Sequence, residues 1–216
     1  MLCKKENCCE SVFRITDFQL TLLHCLLSQI CEVHEWRCIL AFHLGDLPLA
    51  LEMAKKSSNA EEILRSSFMV VVQYLYDAMA HLEAAHEASK KKRKYINRAL
   101  TILKKLKTLA SHCPSNIHHF VCLVKAELAA VNGHFEKAMH LYNEAIEHAT
   151  EEGFRYVRAL ALERRGKALL RSSGGSAELR KEAMDSIRQA REAYADWGAA
   201  AVAEHITKTY MFERLR

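Results

Sequence analysis

Proline and glycine are scarce: this chain of 216 residues has two and seven of them. Both residues interrupt helix interiors. So few of them leaves room for long helices and excludes turn-dense all-β architectures, which need breaks about every 8–12 residues. Period-two alternation is missing as well. The one β-like run, Phe68 to Leu75, places Val70, Val71 and Val72 inside a longer helical pattern. No apolar stretch reaches the ~18 residues of a membrane-spanning helix; Leu20 to Leu27 is short and is interrupted by Thr21 and His24. The N-terminus carries Lys4, Lys5 and Glu6 but no apolar core followed by a small-residue cleavage site, so no signal peptide is expected. Neither G-x-x-x-x-G-K-[ST] nor G-x-G-x-x-G occurs, and no H-R-D or D-F-G pair is present. Catalytic and cofactor-binding residues are therefore not expected.

What is present favours helix. Half of the residues are hydrophobic, enough for a sizeable core. Ala, Leu, Glu, Lys and Arg, all strong helix formers, are abundant. The fold class expected is all-α. Eight cysteines are present, six of them within the first 38 residues. In a helical chain far larger than a stapled mini-domain they read as reduced thiols of an intracellular, cytoplasmic protein.

Charge is unevenly spread. The net charge is +5, yet Ala88 to Ala126 contains no Asp or Glu and ten basic residues. The remainder holds 21 basic against 26 acidic residues. One basic segment thus lies in an otherwise acidic protein.

Along the chain, residues 1–12 read as a disordered lead-in and 13–216 as one helical domain. A long helix is predicted from Asp17, a plausible N-cap, to Leu44, with Gly45-Asp46 ending it and Pro48 suiting the next first turn. Ser57-Ser58-Asn59 is a break, after which one helix is expected to about Glu87. Ser89 opens a basic helix whose apolar stripe is Tyr95, Ala99, Ile102, Leu103, Leu106, Leu109 and Ala110. Cys113-Pro114-Ser115-Asn116 is a connector. A hairpin follows, Ile117 to Asn132 and Phe135 to Glu151, closed by Gly133. Further helices run from Phe154 to about Arg171 and onward from the loop Ser172 to Ser176, with a last one after Trp197-Gly198.

The spacing within that hairpin is informative. Gly133, Phe135, Ala138, Tyr142 and Ala145 follow the Gly, +2, +5, +9, +12 pattern of a helix-turn-helix repeat. Gly133 supplies the positive φ that closes one helix. Phe135, Ala138, Tyr142 and Ala145 share a face of the next. Ala126 and Ala129 join them as the small residues that set the hairpin's packing. Gly45, Leu47 and Ala50 repeat the Gly, +2, +5 spacing, and Ala183, Ile187 and Ala190 repeat 0, +4, +7. Such hairpins bury their apolar faces only by stacking. The expected architecture is an α-solenoid of antiparallel helix hairpins with degenerate tetratricopeptide-like repeats.

These residues resemble a known family. Cys113-Pro114-Ser115-Asn116, His119 and Leu123-Val124-Lys125-Ala126-Glu127-Leu128-Ala129 are similar to its pattern. So are Glu136-Lys137-Ala138-Met139, Leu141-Tyr142, Ala145-Ile146, Glu152-Gly153-Phe154, Ala161-Leu162-Glu163 and Tyr194 with Trp197-Gly198-Ala199. The family is the tetratricopeptide-like helical region of large multidomain signalling ATPases, in which serine/threonine-kinase-like and ATPase domains precede the helices. A sensor domain and a histidine kinase often follow. The match is most specific over residues 106–199, and the glycine-rich loop at Ser173 to Ser176 departs from it. The resemblance implies a relay or interaction module without catalytic residues of its own.

Candidate sites are weighed against plainer readings. His34-Glu35-Trp36-Arg37 resembles the box around a histidine kinase's phosphoacceptor, but Cys38-Ile39 replaces the expected Thr-Pro, so a surface histidine is the simpler reading. His112, Cys113, His118 and His119 carry metal-ligand chemistry, yet Pro114 and Asn116 explain the stretch as a helix stop and cap. No metal site is expected, and Cys3, Cys8 and Cys9 read as tail residues. Most aromatics read as core. The candidate partner-binding residues are Lys91, Arg93, Lys94, Arg98 and Lys105. A basic helix start opposes the helix dipole, so local stability does not call for it.

The expected function is a non-catalytic protein-protein interaction or relay scaffold in signal transduction, with a protein or peptide partner, an acidic one among the candidates. One alternative is a fragment of a multidomain kinase/ATPase. Another is a binder of nucleic acid or membrane through helix 90–107. Nucleic acid is the weaker of these partners, since Tyr95 is the only aromatic in the segment for base stacking. Oligomeric state is left open.

Overall fold

The computed structural model describes residues 6–58, 60–64, 67–88 and 90–211. All regular structure among them is helical. The elements are α1 (Glu6–His43), α2 (Leu47–Lys56), α3 (Ala60–Ile63), α4 (Met69–Glu87), α5 (Lys92–Ala110) and α6 (Pro114–Val131). They continue with α7 (Phe135–Glu151), α8 (Arg155–Ser172), α9 (Ala177–Trp197), α10 (Ala200–Ile206) and a π-helical turn at Thr207–Met211. No helix among the described residues is long and apolar enough to cross a membrane. From α4 onward the connectors are two to four residues long, and each helix packs on its neighbour in sequence. Such connectors force successive helices to run antiparallel.

The ends are set by local chemistry. The Asp46 side chain accepts the Leu49 N–H (3.1 Å), with Pro48 in the first turn of α2. Ser176 caps α9 in the same way through Leu179 N–H (3.3 Å), and Pro114 opens α6. Gly133 stands at φ +79° and Gly45 at +80°. After each, the following N–H reaches back across the turn: His134 to the Ala129 carbonyl (2.9 Å), Asp46 to the Ala41 carbonyl (2.8 Å). This is the left-handed helix stop that satisfies terminal carbonyls. Ala50 and Ala138, five residues after those glycines, are both fully buried, so the two stretches with matching spacing adopt matching turns.

Two expected boundaries are corrected. The helix expected from residue 60 to 87 is split into α3 and α4. The Ser67 hydroxyl accepts the Met69 N–H (3.2 Å) at the start of α4, a local bond that competes with helix continuation. The first helix begins at Glu6, not Asp17, and runs through residues 6–12; no Gly or Pro lies there to stop it. Asn59, Ser89 and Cys3 lie outside the described residues.

The apolar core falls into two clusters that meet at α8. Val157, Leu160, Ala161 and Ala168 face the larger, built from α1 to α8. Ala159 and Leu162 face the smaller, with Ile187, Tyr194 and Val202 from α9 and α10. Gly166 lets α8 and α9 approach closely: a Cβ there would stand 2.6 Å from Ile187 Cγ1 and 3.0 Å from the Ala183 carbonyl. On its far side α1 exposes Leu26, Ile30, Val33, Trp36 and Leu40, while Cys31, Cys38, Ala41 and Phe42 on its other side enter the core.

Polar groups cross this core in two chains. Arg164 is 1 % exposed and Glu127 is fully buried. Their guanidinium and carboxylate pair through Nε to Oε1 (2.7 Å) and Nη2 to Oε2 (2.8 Å). Tyr142 donates to the same Oε1 (2.7 Å). Glu83 joins Arg164 to Arg171 (2.6 Å to the latter), and the Arg164 guanidinium sits over the Phe42 ring. In the second chain Glu163 accepts from Tyr194 (3.0 Å) and Lys167 (2.8 Å). His43 shares a hydrogen bond with the Tyr76 hydroxyl (2.7 Å).

Candidate interaction surface

The basic helix α5 is amphipathic. Ala99, Ile102, Leu103 and Leu106 are buried, Tyr95, Leu109 and Ala110 half-buried. Its cations do not all face solvent in the same way. Lys92 reaches across to the last turn of α6 and donates to the Val131 carbonyl (2.8 Å). A lysine near the N-terminus of one helix thereby serves the carbonyl end of another, where the dipole favours positive charge. Arg98 turns onto α4 and pairs with the buried Asp77 (Nη2 to Oδ2, 2.6 Å). Lys105 donates to the Tyr74 hydroxyl (3.3 Å), its Nζ 5.0 Å from that ring's centre.

The five candidate residues therefore divide. Lys91, Arg93 and Lys94 are exposed at the start of the helix, while Arg98 and Lys105 tie α5 to α4. Sequence patterning could not separate them, because a cation pairing with a buried carboxylate 21 positions earlier looks like any other residue on a basic face.

At the other end of α5 a different group forms. Lys107 of α5, Lys125 of α6 and Lys137 of α7 line one open groove, whose floor includes Leu128, Ala129 and Leu141. No Asp or Glu lines it. Lys125 is a residue of the acid-free segment; Lys137 lies beyond that segment and reaches the groove only because Gly133 folds α7 back along α6. The predicted hairpin-packing residues are what hold it there. Ala126, Ala138, Tyr142 and Ala145 are buried to within 1 %, and Ala129 is 5 % exposed. Phe135 is half-buried beside Gly133, Ala138 and Met139. Small residues at the contact allow α6 and α7 to come close, and Tyr142 fills the space while anchoring its hydroxyl on Glu127.

The histidine-cysteine stretch at 112–119 is dispersed by the start of α6. His112 and Cys113 are exposed. His119 is fully buried between the rings of Phe120 (4.4 Å between centroids) and Phe154 (4.2 Å), with neither nitrogen hydrogen-bonded. Burial pulls its pKa down to about 4, with the nearby His148 and His118 adding to the effect. His118 points elsewhere, to Glu144 and His148 of α7. That juxtaposition was not anticipated, although Glu144 and His148 are four apart and so share a helix face. In the His34 stretch, His34 is half-buried and Glu35 buried. Burial, reinforced by Glu32, raises the Glu35 carboxyl to about 7.

Comparison with protein-family profiles, with curated proteins and with solved structures finds no match.

Proposed function

We propose that this chain is a non-catalytic interaction scaffold that takes an acidic protein segment along the groove of α5, α6 and α7. The observation that carries the reading is the convergence of Lys107, Lys125 and Lys137, one from each of three successive helices, around an apolar floor. Ammonium groups at a rim attract carboxylates over a distance and discriminate against basic partners. Leu128 and Leu141 give an alternating or helical peptide somewhere to place an apolar side chain. Three surface lysines cannot make a tight site, so the complex is expected to be weak and salt-sensitive.

On this reading the hairpins stack as tetratricopeptide-like units of an α-solenoid. The repeated glycine turns at Gly45 and Gly133 and the buried alanines that follow them support it. The resemblance to the helical regions of signalling ATPases supports reading the module as one of intracellular, cytoplasmic signal transduction. The cysteines at 25, 31, 38, 113 and 122 are free thiols, which accords with a reducing compartment.

The test is fluorescence anisotropy with a labelled peptide of alternating Glu and Leu. Wild type should bind with an affinity that falls as salt rises. Lys107→Glu/Lys125→Glu/Lys137→Glu should lose at least tenfold, while Lys91→Glu/Arg93→Glu/Lys94→Glu should lose less than threefold. The opposite ranking would place the partner at the start of α5, and equal affinities in all three chains would remove the lysines from the interaction.

A further inference from the structure

Two helical faces meet beside the first turns of α6. His118 comes from α6; Glu144 and His148 lie one turn apart on the facing side of α7. His118 Nε2 stands 3.3 Å from Glu144 Oε1, and the His118 and His148 rings meet edge to face with centroids 4.5 Å apart. One donor atom from each of the three residues lies within 4.8 Å of the others. All three side chains are about one-third exposed, so the cluster is neither locked into the core nor free in solvent. Pro114, Ser115 and Glu152 complete the open cavity over the two histidines.

We propose that His118, Glu144 and His148 bind a divalent transition-metal ion of the zinc type across the α6–α7 hairpin, with one coordination position open. Two imidazole nitrogens and a carboxylate oxygen form a donor set that suits zinc and its neighbours and leaves calcium and magnesium poorly served. Tetrahedral zinc with ligands at about 2.0–2.2 Å needs donor atoms roughly 3.3–3.5 Å apart. The His118–Glu144 separation already has that value. The wider separations close by rotation of partly exposed side chains, with no movement of either helix. An i, i+4 pair on one helix is a recurrent way of presenting two ligands to one ion.

Two glutamates, Glu151 and Glu152, flank the histidines, with Lys125 the opposing charge felt by Glu144. Glu151 is 3.8 Å from His148 Nδ1. The buried Cys122 thiol, one turn beyond His118, interacts with the Glu144 carboxylate. Ligating carboxylates are commonly oriented by such a neighbour. His140 approaches the outer oxygen of Glu144 at 4.0 Å but is 81 % exposed, and serves as the control. The ion would clamp α6 to α7, the two helices that carry Lys125 and Lys137.

Zinc chloride titrated calorimetrically into the full chain under reducing conditions provides the test, with Cys3, Cys8 and Cys9 replaced by Ser throughout so that their thiols do not compete. The parent should take up one ion. His118→Ala, His148→Ala and the shape-preserving Glu144→Gln should each weaken binding by tenfold or more, and His140→Ala by less than threefold. Zinc at a hundredfold excess over the parent's Kd should raise the parent's Tm by roughly 5–10 °C and that of the three ligand variants by about half as much or less. Circular dichroism matching the parent shows that each variant is folded, and Glu144→Gln decides should either alanine variant lose helicity. Absence of saturable uptake by the parent, or equal affinity in parent and ligand variants, overturns the site.

Discussion

Arg164 and Glu127 face each other in the interior through two hydrogen bonds of 2.7 and 2.8 Å. The residues come from α8 and α6, 37 positions apart. Burial alone would raise the carboxyl pKa, but the charge and hydrogen bonds of Arg164 hold it below the usual carboxylate range. A buried pair of this kind adds little over an apolar pair of the same volume, yet removing one member leaves a charge stranded.

Glu127→Ala is therefore expected to lose about 3–5 kcal/mol in urea unfolding, having also taken the acceptor from Tyr142. Glu127→Leu/Arg164→Met should lose much less than the two single replacements summed. Additive losses would mean the two side chains do not depend on each other.

Acid should weaken the fold in two stages. His43 and His119 are buried, and burial pulls both down from an ordinary 6.5 to about 4. A base whose folded pKa is depressed favours folding above its unfolded pKa, and that contribution drains away as pH falls from about 6.5 to about 4. Each histidine then costs about 1.4 kcal/mol per pH unit within the window. Glu127 and Glu83, held low against burial by Arg164, add their loss only below the ordinary carboxylate range. In His119→Phe the two unpaired nitrogens disappear and an aromatic ring remains between Phe120 and Phe154. Urea midpoints from pH 7 to pH 5 should fall less in that variant than in wild type, with Glu35, raised by burial to about 7, offsetting part of the loss in both chains. Parallel curves would show that His119 titrates alike in the folded and unfolded chain.

Gly166→Ala tests the approach of α8 to α9. The added methyl would meet Ile187 Cγ1 at 2.6 Å and a backbone carbonyl at 3.0 Å. A loss of about 1–3 kcal/mol is expected from the overpacking, although alanine is the better helix former. Ile187→Val in the same chain should recover part of it. A stabilised Gly166→Ala would mean that the helices are further apart.

Much of the scaffold was legible because its signals are local. Scarce Pro and Gly, the 3.6-residue stripe of α5 and the Gly, +2, +5 spacing at Gly45 and Gly133 all act within a few turns of the chain. The buried alanines 126, 138 and 145 follow from the same periodicity. What escaped depends on partners far apart in sequence. Arg98 and Lys105 look like surface cations until α4 supplies Asp77 and Tyr74. Lys137 joins Lys107 and Lys125 only once three helices are laid side by side. Glu163 and Arg164 are adjacent charged residues in the helix sequence, yet both are inside. The division of residues 60–87 is accompanied by local bonds around Ser67, too small to register in any periodic pattern.

The placement of α8 between two apolar clusters has a dynamic consequence. Leu160 and Ala161 belong to one body of packing, Ala159 and Leu162 to the other. A partition of this kind lets α9 and α10 detach while the α4–α7 layer keeps its own core. Amides of α9 and α10 are then expected to exchange through a sub-global opening that costs less than complete unfolding. Such an opening would have to part Gly166 from Ile187 and break the Ser186–Leu162 and Tyr194–Glu163 hydrogen bonds, so hydrogen exchange in α9 is expected to report on that seam.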